Sequence, residues 1–278
     1  MKIAWVTDSA SCIDLQWARE HHVHVIPLHV IFEGKSYKDM IEMDEDEFYR
    51  LIWEGKSPST SQPSVGEFVE LYNQLHADGY DAAIAIHVSA KLSGTIQASR
   101  TAAEMVDLPV YIIDSGLVAK PMMYTIEAGL RLFRDLEPLQ DILNGIKEMR
   151  DRVVGYFMIN DLQFLHRGGR LSATSALMGT LLQVKPILLC QYEKLDLFSK
   201  VRTHKKAKEF IFDLLHEDAE ANSVQEISVI HADHLEEAKV WLEQLKERFS
   251  HIPVMISTLG TVVGSHSGPR AIGIAWRK

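Results

Sequence analysis

The chain has 278 residues, 46% hydrophobic and 24% charged, with a formal net charge of −9. That length buries a large core and suits two domains, and the negative balance excludes a general nucleic-acid or anionic-membrane binder, which needs a broad positive field. Cys12 and Cys190 form no C-x-x-C spacing, and no apolar run makes a secretory segment or the roughly 18 residues of a membrane span, so a reducing cytoplasmic setting fits better than a disulfide scaffold or structural zinc.

In chain order, Lys2–Val6 reads as a strand with the polar exit Thr7-Asp8-Ser9. Asp14–His21 reads as a helix, and Val23–Phe32 as one extended run carrying Pro27. A Glu33–Ser36 turn precedes a helix over Glu42–Trp53, whose acidic first turn suits the positive end of a helix dipole. Ser57–Pro63 reads as a loop, and Ser64 with Glu67 as a capping box opening a helix to about His76. The pattern continues with a strand at Asp81–Val88, a helix at Leu92–Val106, a strand at Val110–Ile113 and a helix at Leu117–Phe133. Such alternation predicts a mostly parallel sheet with helices on both faces.

After a helix over Leu139–Arg152, the second part reads as a strand at Val153–Ile159, a short helix at Asp161–His166 and a helix at Ser175–Val184 stopped by Lys185-Pro186. Strands at Ile187–Gln191 and Leu195–Val201 flank a Tyr-Glu-Lys turn. Helices at Lys205–Glu217 and Glu236–Phe249, with strands at Ile227–His231, Val254–Ser257 and Ala271–Trp276, complete a mixed α/β layer. The expected fold class is therefore α/β with two α/β domains, an N-terminal one over 1–155 and a C-terminal one over 156–278.

Familiar catalytic signatures are missing: there is no G-x-G-x-x-G, G-x-x-x-x-G-K-[ST], H-E-x-x-H or G-x-S-x-G. His21, His22 and His24 cluster, but no third ligand is spaced for a metal, so they read as surface histidines. What the sequence does hold is hydroxyls at strand ends: Thr7-Asp8-Ser9, Ser59-Thr60-Ser61, and Ser89 with Ser93-Gly94-Thr95. Singly, each is an ordinary N-cap. Three in one doubly wound domain point to the crevice at the strand carboxyl ends, where ligands bind, and Ser93-Gly94-Thr95 at a helix start suits an anion.

Gly260–Gly273 reads as a glycine-rich loop that lets backbone approach a ligand, with His266 between two serines. Ser93 and His266 have the types of a nucleophile and its base, yet no acidic orienter is identifiable. His166–Ser172 is a third cluster. Lys200–Lys208 is a fourth, holding five cations and no acid, which leaves −14 on the rest of the chain (−9 − 5). Such a basic island is either a solvated helix start or a docking point for an anionic group or partner.

These clusters, in this order, resemble the DegV family, whose members are similar to the fatty-acid-binding subunits of bacterial fatty acid kinases. The resemblance spans the chain: Thr7-Asp8-Ser9, Thr60-Ser61-Gln62-Pro63, Ser93-Gly94-Thr95, Arg167–Ser172, Gly179 with Lys185-Pro186-Ile187, Val201-Arg202-Thr203, and Gly264–Pro269. One departure is Arg270, where a small residue, usually glycine, is expected after Gly-Pro.

The resemblance implies a non-catalytic protein without cofactor or metal that encloses a long-chain fatty acid between its domains. A separate fatty acid kinase catalytic subunit would then convert the carboxyl group to acyl phosphate. Thr60, Ser61, Ser93 and His266 would hold the carboxyl head, with Gly94, Thr95 and Arg170 in support and Arg202, Lys205 and Lys206 facing the kinase. The alternative is an enzyme acting on a small phosphorylated or carboxylated substrate through the Ser93 loop. The tail would lie among stretches such as Met158-Ile159, Leu177-Met178 and Leu181-Leu182.

Overall fold

The computed structural model describes residues 1–135, 138–170 and 184–278. Its strands are β1 (Ile3–Asp8), β2 (Val23–Ile26), β3 (His29–Phe32), β4 (Lys35–Lys38), β5 (Ser59–Ser61), β6 (Ala82–His87), β7 (Val110–Asp114), β8 (Val153–Met158), β9 (Lys185–Gln191), β10 (Lys194–Val201), β11 (Glu226–His231), β12 (Val254–Thr258) and β13 (Ile272–Arg277). Its helices are α1 (Leu15–Glu20), α2 (Glu45–Trp53), α3 (Val65–Ala77), α4 (Thr95–Ala103), α5 (Ala119–Asp135), α6 (Leu139–Asp151), α7 (Leu162–Arg167), α8 (His204–Ala221), α9 (Leu235–Arg248) and α10 (Gly260–Ser267). All but the last residue of the helix expected at Ser175–Val184, including Leu177, Met178, Gly179, Leu181 and Leu182, lie outside the described residues.

The fold is α/β. Strands β2-β1-β6-β7 form an all-parallel sheet, β10-β9-β8-β13-β11-β12 a mixed one, and β4-β3-β5 a small antiparallel one. Every residue of β1 and β6 is buried, the signature of parallel strands covered on both faces. Alternation then sorts them: Ala4, Val6, Ala83 and Ala85 face α3 and α4, while Ile3, Trp5, Ile84 and Ile86 face the interior. The mixed sheet divides likewise. Val154, Met158 and Ile187 pack under α8 and α9, and Phe157, Leu188 and Cys190 face inward. The inward faces share one apolar cluster with α2, α5 and α6. Gly155 lies within β8, whose partners β9 and β13 both belong to the mixed sheet.

A largely buried group of charges also ties the two sheets' layers. Lys120 on α5 meets Glu127 at 2.8 Å and Glu226 at 3.7 Å, and Arg277 on β13 meets Glu226 at 2.9 Å.

Several elements differ from their sequence reading for identifiable reasons. The Val23–Phe32 run is two strands in different sheets, because Pro27 has no N–H to continue a ladder. The turn after β3 shortens to Glu33-Gly34, both with positive φ, the two-residue hairpin geometry that matches strand twist. Ser59–Ser61 is a strand rather than a loop, paired with β3 at Val30↔Thr60. Gly260–Ser267 is a helix rather than a loop: Gly264 lets α10 lie against α2, where a Cβ would stand 2.5 Å from the Tyr49 hydroxyl.

The Thr7-Asp8-Ser9 exit is fully occupied with architecture. Thr7 Oγ1 donates to the Ile86 carbonyl, and Ser9 Oγ accepts the Leu28 N–H. Asp8 Oδ2 accepts the Val88 N–H at 2.9 Å and bonds His87 Nδ1 at 3.1 Å; His87 Nε2 bonds Ser99 Oγ at 3.1 Å, and Ser99 bonds the Tyr72 hydroxyl at 2.7 Å. This Asp-His-Ser order has the residue types of a catalytic triad, yet Asp8, His87 and Ser99 are all 0% exposed. It is a buried strut between β1, β6, α3 and α4. Asp8→Ala leaves the His87 ring and the Ala10 and Val88 N–H groups without their acceptor, so unfolding free energy should fall by about 2–4 kcal/mol. Urea denaturation checks this, and a loss under about 0.5 kcal/mol contradicts it.

Candidate functional site

A cavity lies in the shared interior, about 760 Å³ of empty space counting the open solvent at its mouth. Its walls are apolar side chains from both halves, including Val88, Leu92, Val118, Phe157, Leu188 and Leu259. Phe157 on β8, and Leu188 with Cys190 on β9, reach it through the inward side of the strand alternation. Its polar lining is Thr60, Ser93, Arg170, His266 and Ser267. A smaller recess carries Thr60, Arg170 and His266 onward past Ser59, Arg167 and Gly168.

The polar groups come from four separate segments, with His266 and Ser267 both in α10. Thr60 sits on β5, and its Oγ1 bonds His266 Nε2 at 2.8 Å. His266 lies in the last turn of α10. Ser93 precedes α4, which begins at Thr95 rather than Leu92; its hydroxyl bonds Thr95 Oγ1 at 2.8 Å and receives the Thr95 N–H. The N-cap of α4, Gly94, offers no side-chain cap, so the positive end of that dipole lies beside Ser93. Arg170 follows α7, where its Nε donates to the Leu92 carbonyl at 2.9 Å and a second guanidinium N–H reaches the Gly168 carbonyl. It thereby anchors the Ser93 loop to the α7 end.

Burial, and then the positive charge of Arg170, lower the His266 imidazole to about 4, so the ring is neutral at physiological pH. One nitrogen engages Thr60, while the buried Nδ1 has no hydrogen-bond partner among the described residues. Gly168 presses against that side of the ring, where a Cβ would stand 2.1 Å from Nδ1. The arrangement offers hydroxyls, a neutral ring, a helix N-terminus and one guanidinium already committed to backbone carbonyls. Such a group compensates a buried carboxyl.

The structure thus brings Thr60, Ser93, Arg170 and His266 onto one cavity. Ser61 does not line it, since adjacent residues of β5 point to opposite faces. Gly94 and Thr95 stand behind Ser93, with Thr95 fully buried. Ser267 and Gly168 were not singled out from sequence, although both belong to the quoted clusters. Arg202, Lys205 and Lys206 are exposed at the start of α8, which Thr203 caps, and among the described residues they make no ion pair. His21 stacks on Trp17, and His24 packs edge-on against Tyr80. Among the described residues no helix is long and apolar enough to cross a membrane.

Comparison with known proteins agrees across the whole chain. The family model described as "Uncharacterised protein, DegV family" matches residues 2–278. Protein DegV of Bacillus subtilis (strain 168) is 40% identical over 279 residues, covering 99% of each sequence. The crystal structure of DegV from Bacillus subtilis, described as a fatty acid binding protein, has a TM-score of 0.92 at 39% identity and covers 100% of this chain and 99% of that one. A DegV family protein from Thermus thermophilus, described for its fatty acid binding, gives 0.89 at 29% identity with both chains fully covered.

Because folding lowers the His266 pKa from 6.5 to about 4, the unfolded chain takes up the proton first as pH falls. The stability from the neutral ring is therefore complete above about 6.5 and is lost between about 6.5 and 4. NMR titration of the imidazole should show His266 still mostly neutral at pH 5, and a midpoint near 6 contradicts it.

Proposed function

This chain belongs to the DegV family, and on that premise we propose that it binds a long-chain fatty acid in the cavity between its sheets. The observation that carries this reading is the shape of that cavity: apolar walls with Thr60, Ser93, Arg170 and His266 gathered as its polar lining. A sixteen-carbon chain buries about 15 methylene and methyl groups at about 0.8 kcal/mol each, about 12 kcal/mol before ordering costs. Thr60, Ser93 and His266 hold the carboxyl group, and Arg170 supports them by fixing the Ser93 loop and supplying positive charge. The N-terminal part supplies the hydroxyl loops, and the C-terminal part, beyond a seam near residue 155, closes over the acid.

The protein does not itself catalyse. A separate kinase subunit transfers the γ-phosphoryl group of a nucleoside triphosphate to a carboxylate oxygen, giving acyl phosphate and the nucleoside diphosphate, and Arg202, Lys205 and Lys206 dock that partner. Weak holding favours this role: a bidentate guanidinium clamp would bind the carboxylate more firmly and oppose its transfer. The protein works in the cytoplasm, where it shields the acid from water by enclosure.

Organic extraction of the purified protein followed by mass spectrometry should recover about one fatty acid per chain. Absence of acid, together with no uptake of added palmitate, overturns the reading. Ser93→Ala and His266→Ala should each weaken binding by about tenfold, about 1.4 kcal/mol, while unchanged affinity removes that residue from the site.

The paired reversal Arg202→Glu and Lys205→Glu should cut acyl-phosphate formation by the kinase subunit at least about tenfold at moderate salt, with lipid content unchanged. Equal formation rates for this variant and the original chain contradict the docking role.

A further inference from the structure

A second cavity, about 440 Å³ counting its mouth, shares no lining residue with the first. Five polar side chains from separate segments meet there: Asn160 after β8, Lys185 opening β9, His204 opening α8, His234 just before α9, and Arg270 before β13. Met158 supplies an apolar wall. Lys185 Nζ donates to Asn160 Oδ1 at 2.9 Å, which leaves the amide N–H groups and two ammonium protons for another acceptor. The rings of His204 and His234 stack at 6.3 Å, and the buried Nδ1 of His234 has no hydrogen-bond partner among the described residues.

The backbone adds to this field. The N-terminus of α8, eighteen residues long, opens at His204, and that of α9, fourteen residues long, opens beside His234 without a side-chain cap. Each contributes about half a positive charge. The nearby carboxylates are turned onto indoles: Glu237 accepts the Trp241 N–H at 2.7 Å, and Asp233 accepts the Trp53 N–H at 2.7 Å. Glu237 also stands 3.9 Å from His204 Nδ1.

Arg270 is the telling residue. Its φ is +62°, a left-handed conformation that glycine adopts freely and that costs another residue about 1–2 kcal/mol. The backbone is held there by the Arg270 N–H bond to the Ala232 carbonyl, and the guanidinium lies over the Trp53 ring at 5.2 Å. A charged residue kept at a strained position points to a use for its side chain.

We propose that this cavity binds the phosphate of a phosphate monoester, with Lys185 and Arg270 as its charged ligands and Asn160, His204 and His234 as neutral donors. Two fixed cations and two helix ends match a dianion better than a carboxylate. The space beside Met158 takes the first carbons of the ester.

Isothermal titration calorimetry with glycerol 3-phosphate, inorganic phosphate and acetate tests this, beside sedimentation with vesicles of phosphatidate in phosphatidylcholine. Expected is saturable one-site binding of glycerol 3-phosphate, at least about tenfold tighter than acetate, and weakened at least about tenfold by Arg270→Gly and by Lys185→Gln. Glycine suits the backbone at 270, so Arg270→Gly keeps the fold, and Lys185→Gln provides an independent check. Binding to phosphatidate vesicles without binding the soluble ester, if lost in both variants, assigns the same pocket to a lipid headgroup. Absence of both interactions, binding of inorganic phosphate alone, or affinity unchanged in both variants overturns the proposal.

Discussion

The inner faces of the two large sheets are both apolar, and neither has helices enough of its own to cover them. Ile84 and Ile86 on one side, and Phe157 and Leu188 on the other, belong to one continuous cluster with α2, α5 and α6 between. Everything else follows from that shared layer. Outer helices cover the remaining faces, and the space left inside is walled by side chains already selected for being buried.

A cavity of this kind accepts hydrocarbon without new chemistry, so its selectivity must come from its polar groups. Those groups are mostly neutral. The His266 ring is kept uncharged by burial and by Arg170, and Arg170 is itself held by the Leu92 and Gly168 carbonyls. Positive potential is present, but it is distributed over a guanidinium and the start of α4 rather than focused in one bidentate contact.

Sequence patterns revealed the features that depend on near neighbours. The capping box of Ser64 and Glu67 is visible as a four-residue spacing, and the helix forms where that spacing says. Strand–helix alternation likewise gave the parallel sheet. What sequence could not show depends on distant partners. Ser59–Ser61 has no apolar alternation and becomes a strand only because β3 pairs with it, so the division between Thr60 facing inward and Ser61 facing away was invisible. The glycines around His266 read as a loop, yet Gly264 serves helix packing against Tyr49. The inward residues of β8 and β9 were hidden because strands buried on both faces look uniformly apolar. At Arg270 the sequence flagged an anomaly whose meaning is a backbone dihedral.

The shared apolar layer also governs how the molecule comes apart. A chain cut near residue 155 would give two fragments, each with part of one hydrophobic interior exposed to water, and Lys120 would lose Glu226 across the break. The inward face of the parallel sheet is therefore fully covered only with β13 in place, threaded between β8 and β11 in the middle of its sheet.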